Sequence, residues 1–124
     1  MAGLQKILIV EDNPALRALY KDFLESSGFS VHEAINGQQG LVEAQAFQPD
    51  LIFLDVMTPV MNGFQAALSL RNNPTYNSTS AKIILLSNLA LDKIPPDVDA
   101  AIDGHALKVD ISLTDLVDMI HSFD

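Results

Sequence analysis

The sequence contains no cysteine and no tryptophan in 124 residues, so disulfide cross-links and thiolate metal sites are excluded and stability must come from an apolar core. Positive charge is also scarce. Seven Lys and Arg stand against 16 Asp and Glu, a formal net charge of −9. The seven cations are scattered from Lys6 to Lys108 without a cluster, which argues against direct binding to DNA or RNA. Long hydrophobic runs are missing too: stretches such as Ile83 to Leu86 fall far short of the roughly 20 residues a membrane span needs. The opening Met-Ala-Gly-Leu-Gln-Lys has no apolar h-region, so a cytoplasmic location is expected and Asn77-Ser78-Thr79 reads as a polar loop rather than a glycosylation site.

What is present is a mix of 48% apolar and 19% charged residues, the composition of one compact domain over 1–124 with its core in 6–122. At this length a chain buries roughly two-thirds of its unfolded surface, enough for a core without staples.

Lys6 to Val10 is a continuous apolar run of strand length that stops at Glu11-Asp12-Asn13-Pro14. Asn13 as N-cap and Pro14 at the first helical position open a helix bearing Leu16, Tyr20, Phe23 and Leu24, and Gly28 takes the positive-φ stop. Ser30 to Ala34 reads as a second strand, about Gln38 to Phe47 as a helix ended by Pro49, and Leu51 to Asp55 as a third strand. A loop with Pro59 leads into a helix from Gly63 to Arg71, and Lys82 to Ser87 forms a fourth strand. Pro95-Pro96 breaks any long helix, which leaves a short fourth one over about Asp97 to Ile102. Leu107 and its neighbours, with Lys108, make a short fifth strand, and Ser112 to Asp115 resembles a capping box opening the last helix, with Leu113, Leu116, Val117 and Ile120 on its apolar side. Strands alternating with helices over short connections predict an α/β fold, a doubly wound parallel sheet covered on both faces.

Three carboxylates, Glu11, Asp12 and Asp55, end the two most hydrophobic early strands, where open α/β sheets place their ligands. Gathered like charges repel unless a cation offsets them or one takes a proton. An all-oxygen donor set suits Mg²⁺ or Mn²⁺ better than zinc. Ser87 and Lys108 end later strands on the same rim. A cation, an ammonium, a hydroxyl and a central carboxylate together suit a dianionic phosphoryl group. Asp55 is the expected nucleophile, with Lys108 and the metal offsetting charge and Ser87 donating a hydrogen bond.

This ordered set, Glu11-Asp12, Asp55-Val-Met-Thr-Pro59-Val-Met-Asn-Gly63, Ser87 and Lys108, resembles the receiver domain of two-component response regulators from Lys6 to the final helix. The resemblance implies a flavodoxin-like five-stranded sheet of order 2-1-3-4-5. It also implies that Asp12, Asp55 and the Met57 carbonyl bind the metal, that Glu11 acts through water, and that phosphate comes from a histidine kinase or His-phosphotransfer protein. Such a domain is no enzyme beyond its own phosphoryl transfer and slow dephosphorylation. The chain then reads as a stand-alone receiver whose output is binding of a downstream protein, or homodimerisation, through the face of the fourth helix, fifth strand and fifth helix.

The resemblance also implies a switch in which Ser87 moves toward the phosphoryl group and His105, in place of the usual Tyr or Phe, changes rotamer. Val109 stands where proline is usual after the lysine, which leaves the reach of Lys108 open. At the two positions that tune hydrolysis, Met57 and Leu89 offer no group to orient water, so a phosphorylated Asp55 is expected to decay slowly.

Taken singly, each residue has a plainer reading: a strand-end acid in a loop, a solvated lysine, Ser87 as a cap, His105 as half-buried packing, Met57 and Met61 as packing, His32 and His121 as incidental. Two rival functions remain. One is a pseudo-receiver that acts as a phosphorylation-independent interaction module; the other is an aspartyl-nucleophile phosphohydrolase, which lacks an acid or base beside Asp55.

Overall fold

The computed structural model describes residues 5–76, 80–88 and 94–124. Five strands, β1 (Lys6–Val10), β2 (Ser30–Ala34), β3 (Leu51–Asp55), β4 (Lys82–Ser87) and β5 (Gly104–Leu107), form one parallel sheet of order β2-β1-β3-β4-β5. Helices α1 (Pro14–Ser26), α2 (Gly37–Phe47), α3 (Gly63–Asn72), α4 (Pro96–Ala101) and α5 (Leu113–His121) alternate with them. None of these helices is long and apolar enough to cross a membrane.

The continuous apolar runs are explained by burial on two faces. Along β1, β3 and β4 alternate residues point to opposite sides of the sheet. Leu8, Val10, Ile52, Leu54, Ile83 and Leu85 pack with α2, α3 and α4, whereas Ile7, Ile9, Leu51, Phe53, Ile84 and Leu86 pack with α1 and α5. Leu24 and Leu116, on α1 and α5, are fully buried in the second layer.

Local signals behave as their chemistry requires. The Asn13 side chain accepts from the amides of Ala15 and Leu16, Gly28 adopts φ 100°, and Ser112 and Asp115 form a reciprocal capping box. Two expectations need correction. Pro96 is the first residue of α4, following Pro95 as N-cap, because a first-turn N–H has no helical partner to lose. Lys108 lies just beyond β5, in a single 3₁₀ turn over Lys108–Asp110. Asn77-Ser78-Thr79 and Leu89 fall outside the described residues.

Candidate functional site

All five strands run the same way, so their carboxyl ends deliver loops to one edge. The register aligns Val10 with Leu54, and the Glu11 N–H continues the ladder to the Ala34 carbonyl at 3.0 Å. Glu11 and Asp55 therefore end side by side. Asp55 pairs with Leu86 and Ser87 with Leu107, which brings Ser87 and Lys108 to the same edge.

Glu11 and Asp55 are each only 2% exposed, while Asp12 is exposed, and the three offer carboxylate oxygens within 4.8 Å of one another. One ammonium reaches them: Lys108 Nζ lies 2.5 Å from Glu11 Oε1 and 3.1 Å from Asp55 Oδ2. Lys108 does so without proline after it, and the described residues contain no cis peptide bond. Three carboxylates against one ammonium make this strand-end cluster acidic.

Burial raises the Glu11 pKa, assisted by Asp55, against the opposing pull of Lys108 and the Asn13 N–H. For Lys108, burial is the largest effect and lowers the pKa, but Glu11 and Asp55 together outweigh it and hold the ammonium charged above its ordinary range. Tyr20 on α1 is 6% exposed, and burial raises its hydroxyl pKa, with smaller contributions from the charges of this site.

The loop after Asp55 is tightly tied. The Met57 N–H donates to Asp55 Oδ1 at 3.1 Å, the Thr58 hydroxyl to the Met61 carbonyl at 2.7 Å, and the Gly37 N–H to the same carbonyl at 3.0 Å. Between them Val60 sits at φ 69°, a left-handed conformation that β-branched residues rarely adopt, under a tight Met61 N–H to Pro59 carbonyl bond of 2.7 Å. Gly63 allows the chain to return, since a Cβ there would stand 2.6 Å from the Asp55 carbonyl oxygen.

The structure thus gathers Glu11, Asp12, Asp55 and Lys108, with Ser87 buried on the adjoining strand end. Met57 directs its amide to Asp55 and leaves its side chain 68% exposed, which corrects the reading of it as packing. Met61 does pack against the core. His105 is exposed on β5, so it is not a half-buried packing residue. Sequence reasoning missed Thr58 and Arg17. Thr58 is 8% exposed, and its only signal was a hydroxyl between two loop methionines; Arg17 donates to the Glu11 carbonyl at 2.9 Å and had no signal beyond its nearness to the acidic pair.

Known proteins resemble the chain in sequence and in fold. The chain is 35% identical over 106 residues to a DNA-binding dual master transcriptional regulator, RpaA, of Synechocystis, covering 83% of this chain and 42% of that protein. It is 32% identical over 119 residues to a gliding motility regulatory protein of Myxococcus xanthus, covering 93% of this chain and 15% of that one. The chain therefore spans less than half the length of either relative. Among solved structures, chemotaxis protein CheY4 of Vibrio cholerae superposes with a TM-score of 0.83 at 25% identity, over 98% of this chain and all of that one. The Thermotoga maritima response regulator TrrA, in complex with Mg²⁺-BeF, gives 0.82 at 26% identity over 98% of this chain and 100% of that one. Residues 7–120 match the response regulator receiver domain model, and the chain belongs to that family.

Proposed function

We propose that this receiver domain accepts a phosphoryl group on Asp55 in a Mg²⁺-dependent reaction and thereby switches a partner-binding face. The observation that carries the reading is the buried Lys108 ammonium shared by Glu11 and Asp55 beside an exposed third carboxylate. A carboxylate oxygen of Asp55 attacks phosphorus of a phosphohistidine on a kinase or phosphotransfer protein. The P–O bond forms, the P–N bond breaks, and the electron pair stays on the imidazole, which takes up a proton. Lys108 stays charged and offsets the negative charge on the transferring group, and the Ser87 hydroxyl donates to one of its oxygens.

The residues fit a small hard cation. The donors are all oxygen, the cluster is acidic, and one acid is open to water. Glu11, Asp12, Asp55 and the Met57 carbonyl would hold Mg²⁺ or Mn²⁺, which supplies charge neutralisation to the phosphoryl oxygens. The output face is α4, β5 and α5. Supporting this, β5 is an edge strand with His105 exposed as the switch side chain, and α4 is short behind Pro95. That face would meet a downstream protein or a second copy.

Incubation with Mg²⁺ and a small acyl-phosphate donor, followed by intact-mass measurement, tests the reading. One phosphoryl adduct that is lost in Asp55→Asn is expected. An unchanged mass makes the chain a phosphorylation-independent interaction module, and donor turnover without an adduct makes it a phosphohydrolase.

A further inference from the structure

We infer that Arg17 is a positioning residue for cation binding: its guanidinium, anchored by Glu33 of the edge strand, fixes the Glu11–Asp12 peptide and thereby places the Asp12 carboxylate. This rests on the proposed Mg²⁺ reading of the acidic site. Arg17 lies in the first turns of α1, half-buried, and its fork divides between two acceptors. Nη1 donates to the Glu11 carbonyl at 2.9 Å, and Nε to Glu33 Oε1 at 2.8 Å. A planar guanidinium can serve both at once in fixed geometry, which a single ammonium cannot reproduce.

The need for such an anchor comes from Asp12. Its carboxylate makes no hydrogen bond or ion pair with the described residues, whereas Glu11 and Asp55 are both held by Lys108. Asp12 is therefore placed by its backbone alone. The Glu11 carbonyl and the Asp12 amide share one planar unit, so fixing the carbonyl direction orients the Asp12 Cα. The Glu11 N–H is held by Ala34, the Asn13 N–H by Glu11 Oε2 at 3.1 Å, and the Arg17 N–H donates to the Asn13 carbonyl at 2.9 Å. Arg17 supplies the remaining restraint on the peptide between Glu11 and Asp12.

Charge and position make opposite demands, which separates them experimentally. Arg17 is a cation near an acidic cluster, so deleting it on electrostatic grounds alone strengthens cation binding. If it acts by position, deletion weakens binding, and groups that orient ligands typically matter by about 10- to 100-fold.

The experiment is calorimetric titration of the full chain with Mg²⁺ alone, for the wild type, Arg17→Ala, Arg17→Lys, Glu33→Gln and Lys21→Ala. Lys21→Ala removes a cation from the same helix and serves as the charge control. About tenfold weaker binding is expected for Arg17→Ala, with no rescue by Arg17→Lys, a smaller loss for Glu33→Gln and no loss for Lys21→Ala. Without metal, amide hydrogen exchange at Asn13, whose N–H donates to Glu11 Oε2, should speed up in Arg17→Ala while that of Phe53 and Leu54 stays unchanged. Unchanged or tighter Mg²⁺ binding by Arg17→Ala overturns the inference alone; absence of binding by the wild type overturns the metal reading with it. If Arg17→Ala does not fold, Arg17→Lys decides by the same two measurements, since it keeps the charge and removes the fork that spans the Glu11 carbonyl and Glu33.

Discussion

Replacing Lys108 by methionine keeps the length and apolar stem of the side chain but removes the ammonium that reaches two acids. Glu11 and Asp55 side chains are each 3% exposed, so the substitution strands two carboxylates with little access to water. Breaking a buried ion pair by deleting one partner costs roughly 3–5 kcal/mol. The lower end applies, because the Asn13 and Met57 N–H groups still donate to these carboxylates and Glu11 can take up a proton. For a domain of 124 residues, about 3 kcal/mol corresponds to a Tm lowered by about 12 °C.

The assay is thermal unfolding in a chelator at low salt and neutral pH. The sign of the pH dependence follows from Glu11. Its folded pKa lies above the ordinary 4.5, so its contribution is favourable below that value and is lost as pH rises through the folded one. Without Lys108 that folded value rises further, and the deficit of Lys108→Met should be small under acidic conditions and grow from about pH 4.5 upward. Adding Glu11→Gln to Lys108→Met should recover much of the loss, because the stranded charge is then gone. A Tm for Lys108→Met equal to the wild type in chelator, within about 0.5 kcal/mol, would refute the view that this ammonium holds the acids together.

Asp55→Asn removes one of three clustered negative charges and keeps an oxygen for the Met57 N–H, so it should abolish the phosphoryl adduct while leaving Tm unchanged or raised; a loss above about 1 kcal/mol contradicts this. Gly63→Ala places a Cβ 2.6 Å from the Asp55 carbonyl oxygen and 2.8 Å from the Val56 Cα, both backbone, and should cost about 2–3 kcal/mol in denaturant unfolding. Val60→Gly should raise stability by about 1 kcal/mol: it relieves strain worth roughly 1–3 kcal/mol against a glycine entropy cost of about 0.5–1 kcal/mol. Little packing is lost, as Val60 is 83% exposed. Met57→Asn, with an exposed side chain two residues after Asp55, should shorten the lifetime of the adduct several-fold as followed by intact mass; an unchanged lifetime removes Met57 from the control of hydrolysis.

The central strands were readable to the residue because their apolar runs end abruptly. Lys6 to Val10 stops at Glu11, and Leu51 to Leu54 stops at Asp55, so the same transition that bounds the strand names the candidate site residue. The sequence places Lys108 on the rim and leaves its reach open, because Val109 follows it; the structure carries the ammonium to Glu11 and Asp55 from a 3₁₀ turn after β5. The sequence places the start of α4 at about Asp97 because the pair Pro95-Pro96 reads there as a breaker, although Pro96, like Pro14, removes no hydrogen bond in a first helical turn. The plainer reading of His105 as half-buried packing rests on residue type alone, and its place on an edge strand leaves it exposed.

Arg17 and Thr58 escaped notice for a common reason: both act on backbone carbonyls, of Glu11 and Met61, and a carbonyl leaves no mark in sequence. The loops bearing Glu11, Asp12 and Asp55 are held by such bonds, from the Gly37 N–H and the Thr58 hydroxyl on one side and the Arg17 guanidinium on the other. The site thus divides into two kinds of residue. Acids and lysine supply charge and were identifiable by type and by their place at strand ends. Their geometry is set by donors whose importance depends only on where the fold puts them.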